Sequence, residues 1–378
     1  MIRMSQHKRG RLNIAISDIK RMRSLAFPSS ISKTMLPQIT VIIAALGMSS
    51  SAPLPAQTNT ITTSGNGATT QSFLASISGN QASNQVNLVN AISNGATGSQ
   101  TGSLNIGNNV ATGSQTNNIA ALRNVGSTQN LAGFVSGNVA LGTQNSAINL
   151  NKNRADNQVL TGAISNNVGG RFQTNTVNMR SNLANKAQEQ LGEISGNVAT
   201  KSQTNTINAI GSWSHGNQLN LAQIFTNQGA SQVNTAKVNA NHGTLDQTNK
   251  CVIDSNGATS GGQKNNCQLV GNDPLTQTNV GAITNNAATK SQLNTVNLAG
   301  NFGAQTQINE GQISGNSALA SQNNQVSITG SSSAGVQNTL ALIANNAARL
   351  NMINSIGLSG NRAPTQNIQS GIQNNLSG

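Results

Sequence analysis

A glutamine recurs roughly every fifteen residues along this 378-residue chain, and no other feature restricts its fold as strongly. It stands at Gln71, Gln85, Gln100, Gln115, Gln129, Gln144, Gln158, Gln173, Gln188, Gln203, Gln218, Gln232, Gln247, Gln263, Gln277, Gln292, Gln307, Gln322 and Gln337, passes to Asn351, and returns at Gln366. No step strays from fifteen by more than a single position. A unit this short cannot enclose a core of its own and is stable only when stacked on its neighbours, so the period predicts a solenoid. Composition read alone points elsewhere. With 60 Asn and 33 Gln, 2% aromatic and 8% charged residues, the chain would pass for a disordered tract with too little apolar surface to offset its conformational entropy. The period reverses that reading, because amide side chains stacked one strand spacing apart, about 4.8 Å, hydrogen-bond along the stack and satisfy their own burial. The expected fold class is all-β, a parallel β-helix-like solenoid with Asn/Gln ladders.

Counting from each Gln as position zero, the commonest unit carries Asn at −6, Ala at −4, Asn at +2 and an aliphatic residue at +4. Asn197, Ala199, Gln203, Asn205 and Ile207 form one copy, and Asn286, Ala288, Gln292, Asn294 and Val296 form another. These positions share parity, so on an extended chain they point to one face while Thr, Ser and Lys point to the other. The expected ladder residues are therefore Gln144, Gln173, Gln203, Gln232, Gln263, Gln292 and Gln322, with Asn197, Asn205, Asn286 and Asn294. Punctuations such as Ser136-Gly137, Ser195-Gly196 and Ser314-Gly315 suit tight turns that need positive φ. A second period, twice as long, overlies the first: an aliphatic residue before the turn recurs at Val135, Ile164, Ile194, Ile224, Ile253, Ile283, Ile313, Ile343 and Ile372. Units paired into coils of about 30 residues would give about ten coils and a rod of roughly 50 Å, whereas coils of about 15 residues and alternating type would give about twenty and roughly 100 Å.

The amino terminus reads as a separate leader. Lys20, Arg21 and Arg23 precede the apolar run from Ile39 to Met48, and small residues lead to Ala56. That order is a charged n-region, an h-region too short to span a bilayer, and a cleavage site after Ala56. Residues 1–56 are thus expected as signal peptide and leader, with Met22 as an alternative start, 57–70 as a short linker and 71–378 as the solenoid. The full chain carries a net charge of +13, but the leader holds eight of its 21 Lys/Arg and one of its eight Asp/Glu, so residues 57–378 are only +6. The remaining charges are scattered singly with almost no aromatic residue to stack bases, which argues against nucleic acid as a partner. No stable membrane insertion of the mature chain is expected.

The half-motif Asn-x-Ala-x-x-x-Gln resembles the curlin repeat of bacterial curli fibres. It stands at Asn94/Ala96/Gln100, Asn109/Ala111/Gln115, Asn138/Ala140/Gln144, Asn182/Ala184/Gln188, Asn197/Ala199/Gln203, Asn286/Ala288/Gln292 and Asn316/Ala318/Gln322. In character the resemblance covers most of residues 66–378, although a curlin repeat is longer than fifteen residues and a curlin subunit has fewer units. The likeness implies Sec export, passage through an outer-membrane pore, a surface anchor and assembly into an extracellular amyloid fibre. A neighbouring class of repeat-built biofilm or surface-anchoring protein fits as well. The expected function is accordingly a secreted structural protein at the cell surface that associates with itself. A monomeric adhesin binding a glycan or an abiotic surface, and a β-helical polysaccharide-degrading enzyme, are the alternatives.

Residues 57–378 offer little catalytic chemistry. Their only carboxylates are Asp156, Glu189, Glu193, Asp246, Asp254, Asp273 and Glu310, their only imidazoles His215 and His242. Polysaccharide enzymes need acids clustered around a groove, and these acids sit at different phases of the repeat. Glu189 and Glu193 alone are close in sequence, on what reads as an outward face. The two histidines are far apart along the chain and have no Cys or acid at ligand spacing, so no metal or cofactor is expected. Trp213, the only tryptophan, reads as a turn residue. Cys251 and Cys267 both stand four positions after a ladder Gln, which in an exported chain suggests a disulfide. Such a bond favours residues stacked on adjacent coils, about 4.8 Å apart, over residues in two facing sheets about 10 Å apart.

Overall fold

The computed structural model describes residues 56–378, together with the backbone of Gln38–Ala45. The chain winds into a β-solenoid of about 11 turns with coils of about 30 residues, and no helix occurs among the described residues. Every strand pairing described is parallel. In one coil, Val125–Ser136 lies in a first sheet, the chain turns at Gly137 and Asn138, and Gln144–Asn151 crosses back in a second sheet. It then turns again at Lys152 and Asn153 into Arg154–Ser165, directly above the starting strand. Gln129 thus pairs with Gln100 and Gln158 in the first sheet, while Gln144 pairs with Gln115 and Gln173 in the second. The longer of the two expected coils is the one formed, and stacking about 4.8 Å per coil makes a rod of roughly 50 Å.

Each half-coil closes on one residue in the left-handed region, placed immediately before a corner asparagine, for which Ser212 and Ser331 substitute in two places. Ten of these closing residues are glycines, among them Gly137, Gly196 and Gly315, but Arg123, Lys152, Thr226 and Ala240 occupy the same conformation. A side chain there is strained by roughly 1–2 kcal/mol, so the corner behind it must impose the turn. The small variation in step length is absorbed between this corner and the next Gln. Opposite Asn153 to Gln158 lies the longer Asn182 to Gln188, and the register shift falls between Ala155 and Asn157, leaving the Gln rung in line. A second shift falls between Ala199 and Ser202. Lys201 shares the parity of Gln203, yet the chain bends there and Lys201 is exposed.

The core is a single strip of aliphatic side chains from Ile61 to Ile343, flanked by the amide rows. Its two sides are unlike. Four positions after the ladder Gln, the second sheet mostly carries Val or Ile, as at Val89, Ile119, Ile148, Val177 and Ile207, whereas the first mostly carries Gly or Ala, as at Gly133, Gly162, Gly192, Gly281 and Gly311; Leu104 and Cys251 in the first sheet and Ala236 and Cys267 in the second depart from this. A Cβ added to Gly192 would lie 2.6 Å from Ile207 Cγ2, and one added to Gly311 would lie 2.6 Å from Val326 Cγ1. The large residue of one sheet fills the space that the glycine of the other leaves.

Two expectations are corrected at the boundaries. The segment 57–70 is not a linker: Gln57–Ser64 pairs with Gln85–Ile92 in the second sheet, Gln57 opposite Gln85. At the other end the rung opposite Gln322 is held by Met352, and Asn351 is exposed just before it. The expected leader lies outside the described residues except for Ala56 and the backbone of Gln38–Ala45, which runs as a strand beside Thr70–Ile77. No described helix is long and apolar enough to cross a membrane.

Candidate functional site

The buried amides form hydrogen-bonded ladders parallel to the rod axis. In the first sheet each Gln from Gln100 to Gln366 donates Nε2 to Oε1 of the Gln one coil earlier, down to Gln71, at 2.5–3.3 Å. The second sheet repeats this from Gln322 down to Gln85, through Gln292, Gln263, Gln232, Gln203, Gln173 and Gln144, at 2.6–3.0 Å. The corner asparagines point the opposite way. Asn197 donates both its backbone N–H and Nδ2 to Asn227 Oδ1 of the next coil, and Nδ2 also donates to the Ile164 carbonyl at 3.0 Å. Asn286 does the same to Asn316 and Ile253. This corner row is unbroken from Asn80 to Asn375. Within the stack, as at Asn197 and Asn286, each such side chain has its hydrogens and oxygen used, which is how an uncharged amide can be fully buried without penalty.

The third row, two positions after the Gln, shows what happens when the repeat drifts. In the second sheet Asn175, Asn205, Asn234, Asn265, Asn294, Asn324 and Asn354 are bonded in series at 2.8–2.9 Å. Ser146 interrupts this row, since it pairs with Asn117 on one side and Asn175 on the other and is too short to reach either. Asn117 Nδ2, Ser146 Oγ and Asn175 Oδ1 are all buried without a partner. In the first sheet the row is apolar at Phe73, Leu131 and Leu160, becomes Asn220, Asn249, Asn279 and Asn309, and stops at Thr339. Asn309 Nδ2, Thr339 Oγ1 and, where the Gln ladder gives way to Met352, Gln322 Oε1 are likewise orphaned. Each of these breaks leaves an orphan buried beside it.

The residues considered for catalysis stay apart. Glu189 and Glu193 stand on the outer face of Leu183–Ser195; the stacked neighbours of Glu189 are Val159 and Leu219, those of Glu193 are Ala163 and Gln223. Glu193 accepts a hydrogen bond from Ser195 Oγ at 2.8 Å, and Asp254 accepts from Ser255, Thr284 and Asn285. No charged side chain is buried among the described residues, and no group of three His, Cys, Asp or Glu among them is placed to hold a metal ion.

Coil stacking does assemble one cluster that sequence spacing concealed. Trp213 pairs with His242, and His242 with Asp273. The Trp213 ring stacks on His215 with centroids 5.6 Å apart and meets His242 edge-on at 5.1 Å, while His242 Nδ1 lies 3.8 Å from Asp273 Oδ2. Each of the two pairings spans one coil, so the longer period, once chosen, contains the signal. The cysteines are corrected in the other direction. Cys251 and Cys267 are joined with Cα atoms 5.8 Å apart, but they belong to facing sheets of one coil rather than to stacked strands. The facing sheets come within disulfide reach here because this row is lined by Gly and Ala on the first sheet, and Gly281 stands next to Cys251.

Compared with protein-family models, with curated proteins and with solved structures, the chain matches none. The solenoid and its ladders are therefore the whole basis for a functional reading.

Proposed function

We propose that this is an exported structural protein of the cell surface whose rods associate with one another, forming or scaffolding extracellular fibres in the manner that the curlin likeness implies. The observation that carries this reading is the exposed strand edge at Met352–Ser359 and Thr365–Gln373. Bare strand edges template further pairing. Here Met352–Ser359 and Thr365–Gln373 keep the repeat with their inward rows exposed. Ile372 is 50% exposed, whereas Ile343 and Ile313 beneath it in the same row are 0%. Export through an outer-membrane pore and attachment to a surface partner belong to the same proposal.

Incubation of the purified chain from residue 57, followed by electron microscopy and seeded thioflavin fluorescence, tests it. Seeded growth of unbranched fibres is the expected result. A soluble monomer at every concentration would favour the second reading, a monomeric adhesin. One observation supports that alternative: an open groove of about 670 Å³ runs along the rod past Ser202, Ser231, Ser291 and Ser321. Its serine hydroxyls, interrupted at Gly262, are suited to an extended glycan.

A further inference from the structure

The two ends of the rod match at the corner asparagines, the first-sheet glutamine and the aliphatic row, while Met352 would meet Gln57. We propose that a second copy of this chain docks head to tail in one register, with Thr365–Gln373 of one copy pairing with Thr70–Ser78 of the next, in the place that Gln38–Ala45 takes within a single chain. This rests on the self-associating reading above and adds to it a defined interface and a built-in block.

The register follows from the coil. Each first-sheet strand stacks Gln on Gln, so Gln366 would meet Gln71, and the second-sheet strand Met352–Ser359 would meet Gln57–Ser64. With that alignment alone, Asn354 falls on Asn59, Ile356 on Ile61 and Ile372 on Ile77. The corners follow: Asn361 on Asn66, Asn375 on Asn80, and Leu376–Ser377 on Gln81–Ala82. Both corner rows and the amide row between them continue across the junction, and so does the aliphatic row.

Hydrogen-bond direction agrees with this order. Along the rod each corner Asn donates to the following coil, while each Gln donates to the preceding one. In the last coil the side chains of Asn361 and Asn375 donate only to a carbonyl, those of Ile328 and Ile343. Their remaining N–H groups point to where the next coil supplies Oδ1, which Asn66 and Asn80 would do. Gln366 donates to Gln337, so its oxygen is on the side from which Gln71 would donate. The reverse docking, C-terminal end to C-terminal end, would set donor against donor and make the strands antiparallel. Like charge does not oppose the contact either, since Arg362 is the only charged residue in 352–378 and there is none in 57–122. A contact of this heterologous kind does not close on itself and generates an open filament.

Gln38–Ala45 holds that edge in the intact chain. It pairs with Thr70–Ile77 along its whole length, but its register partner for Gln71 is Ile39, so the glutamine ladder does not continue into it. A second copy offers Gln366 at the same position. Removal of the segment up to Ala56 would therefore uncover an edge for which the rod's own tail is the better-matched strand.

The test uses the full chain with a specific protease site inserted between Ala56 and Gln57, cut after folding. In a Cys251→Ala/Cys267→Val background, singly substituted Ser72→Cys and Asn367→Cys chains are mixed and oxidised. The cut sample should form the 72–367 disulfide between copies, and the uncut sample should not. A Ser76→Cys/Asn367→Cys pair, four positions out of register and roughly 13 Å apart, is beyond the ~7 Å disulfide limit and should stay at background. In the chain with native cysteines, the backbone amides of Thr365–Gln373 that point away from Val336–Ala344 should exchange rapidly before the cut and become protected after it. Assembly without the 72–367 link, or with equal linking before and after the cut, overturns the register and the block while leaving self-association intact. A cut chain that stays monomeric by sedimentation at all concentrations, with unprotected C-terminal amides, overturns both.

Discussion

The two sheets of each coil share a backbone but not a composition, and the contrast shows how the solenoid is specified. Along the axis like stacks on like: Gln203 lies between Gln173 and Gln232, and Asn205 between Asn175 and Asn234. Across the core unlike meets unlike, with Gly192 against Ile207 and Gly311 against Val326. The axial rows need identity because an amide is satisfied only by another amide at the same height. The transverse contacts need complementarity because two large rows would force the sheets apart and two small ones would leave a void.

The largest effect should come from breaking the transverse match. Ile207→Ala leaves a cavity opposite Gly192 and is expected to cost about 2–5 kcal/mol in denaturant unfolding. Gly192→Val alone should also destabilise, since a Cβ at that position already meets Ile207 Cγ2 at 2.6 Å. The double variant moves the bulk from one sheet to the other, and it should lose less than the sum of the two single losses. Simple additivity would show that the two positions are not coupled.

Breaking an axial row should cost less. Gln203 donates to Gln173 at 2.6 Å and accepts from Gln232 at 2.8 Å, so Gln203→Leu strips a partner from each. An unpaired buried amide is worth about 1–3 kcal/mol, and the loss should appear in hydrogen exchange of the coils above and below as well as its own. Tolerance of this change would remove the ladder from the account of stability.

Repair is the converse experiment. Ser146→Asn places an amide between Asn117 Nδ2 and Asn175 Oδ1, both now orphaned, and should stabilise by about 1 kcal/mol in thermal unfolding. No gain would mean that ordered water already bridges the gap. The smallest effect belongs to the outer face: Lys201→Ala removes an exposed charge 5.9 Å from the Phe172 ring and should change stability by less than about 0.5 kcal/mol.

Much of the fold is legible in the chain alone. The Gln spacing identifies a solenoid, because a ladder residue marks its own phase wherever it stands, and the inward parity of Asn197, Ala199, Gln203, Asn205 and Ile207 is the parity observed. An amide at the fifteen-residue spacing is not always the rung, since Asn351 stands just before the position that Met352 occupies. The unit of Gln57 lacks the Asn-x-Ala lead, and only its pairing with Gln85 marks it as part of the stack. The Trp213, His215, His242 and Asp273 cluster has no short ligand spacing, since His242 and Asp273 reach Trp213 only through stacking of coils.

What the sequence determined by itself is everything that one strand can decide about itself: which residues face inward, where the chain turns, and that neighbours must repeat. A period of two along a strand and a Gln at each start are local facts, carried by the chain whatever it packs against. Whether a coil closes after one unit or after two is not local. It depends on whether the next unit is a like partner to stack on or an unlike one to face, and here glycines such as Gly192 and Gly311 face Ile207 and Val326 across the core. That single choice, made by packing across the core, also placed Cys251 opposite Cys267 and set His242 beside Asp273.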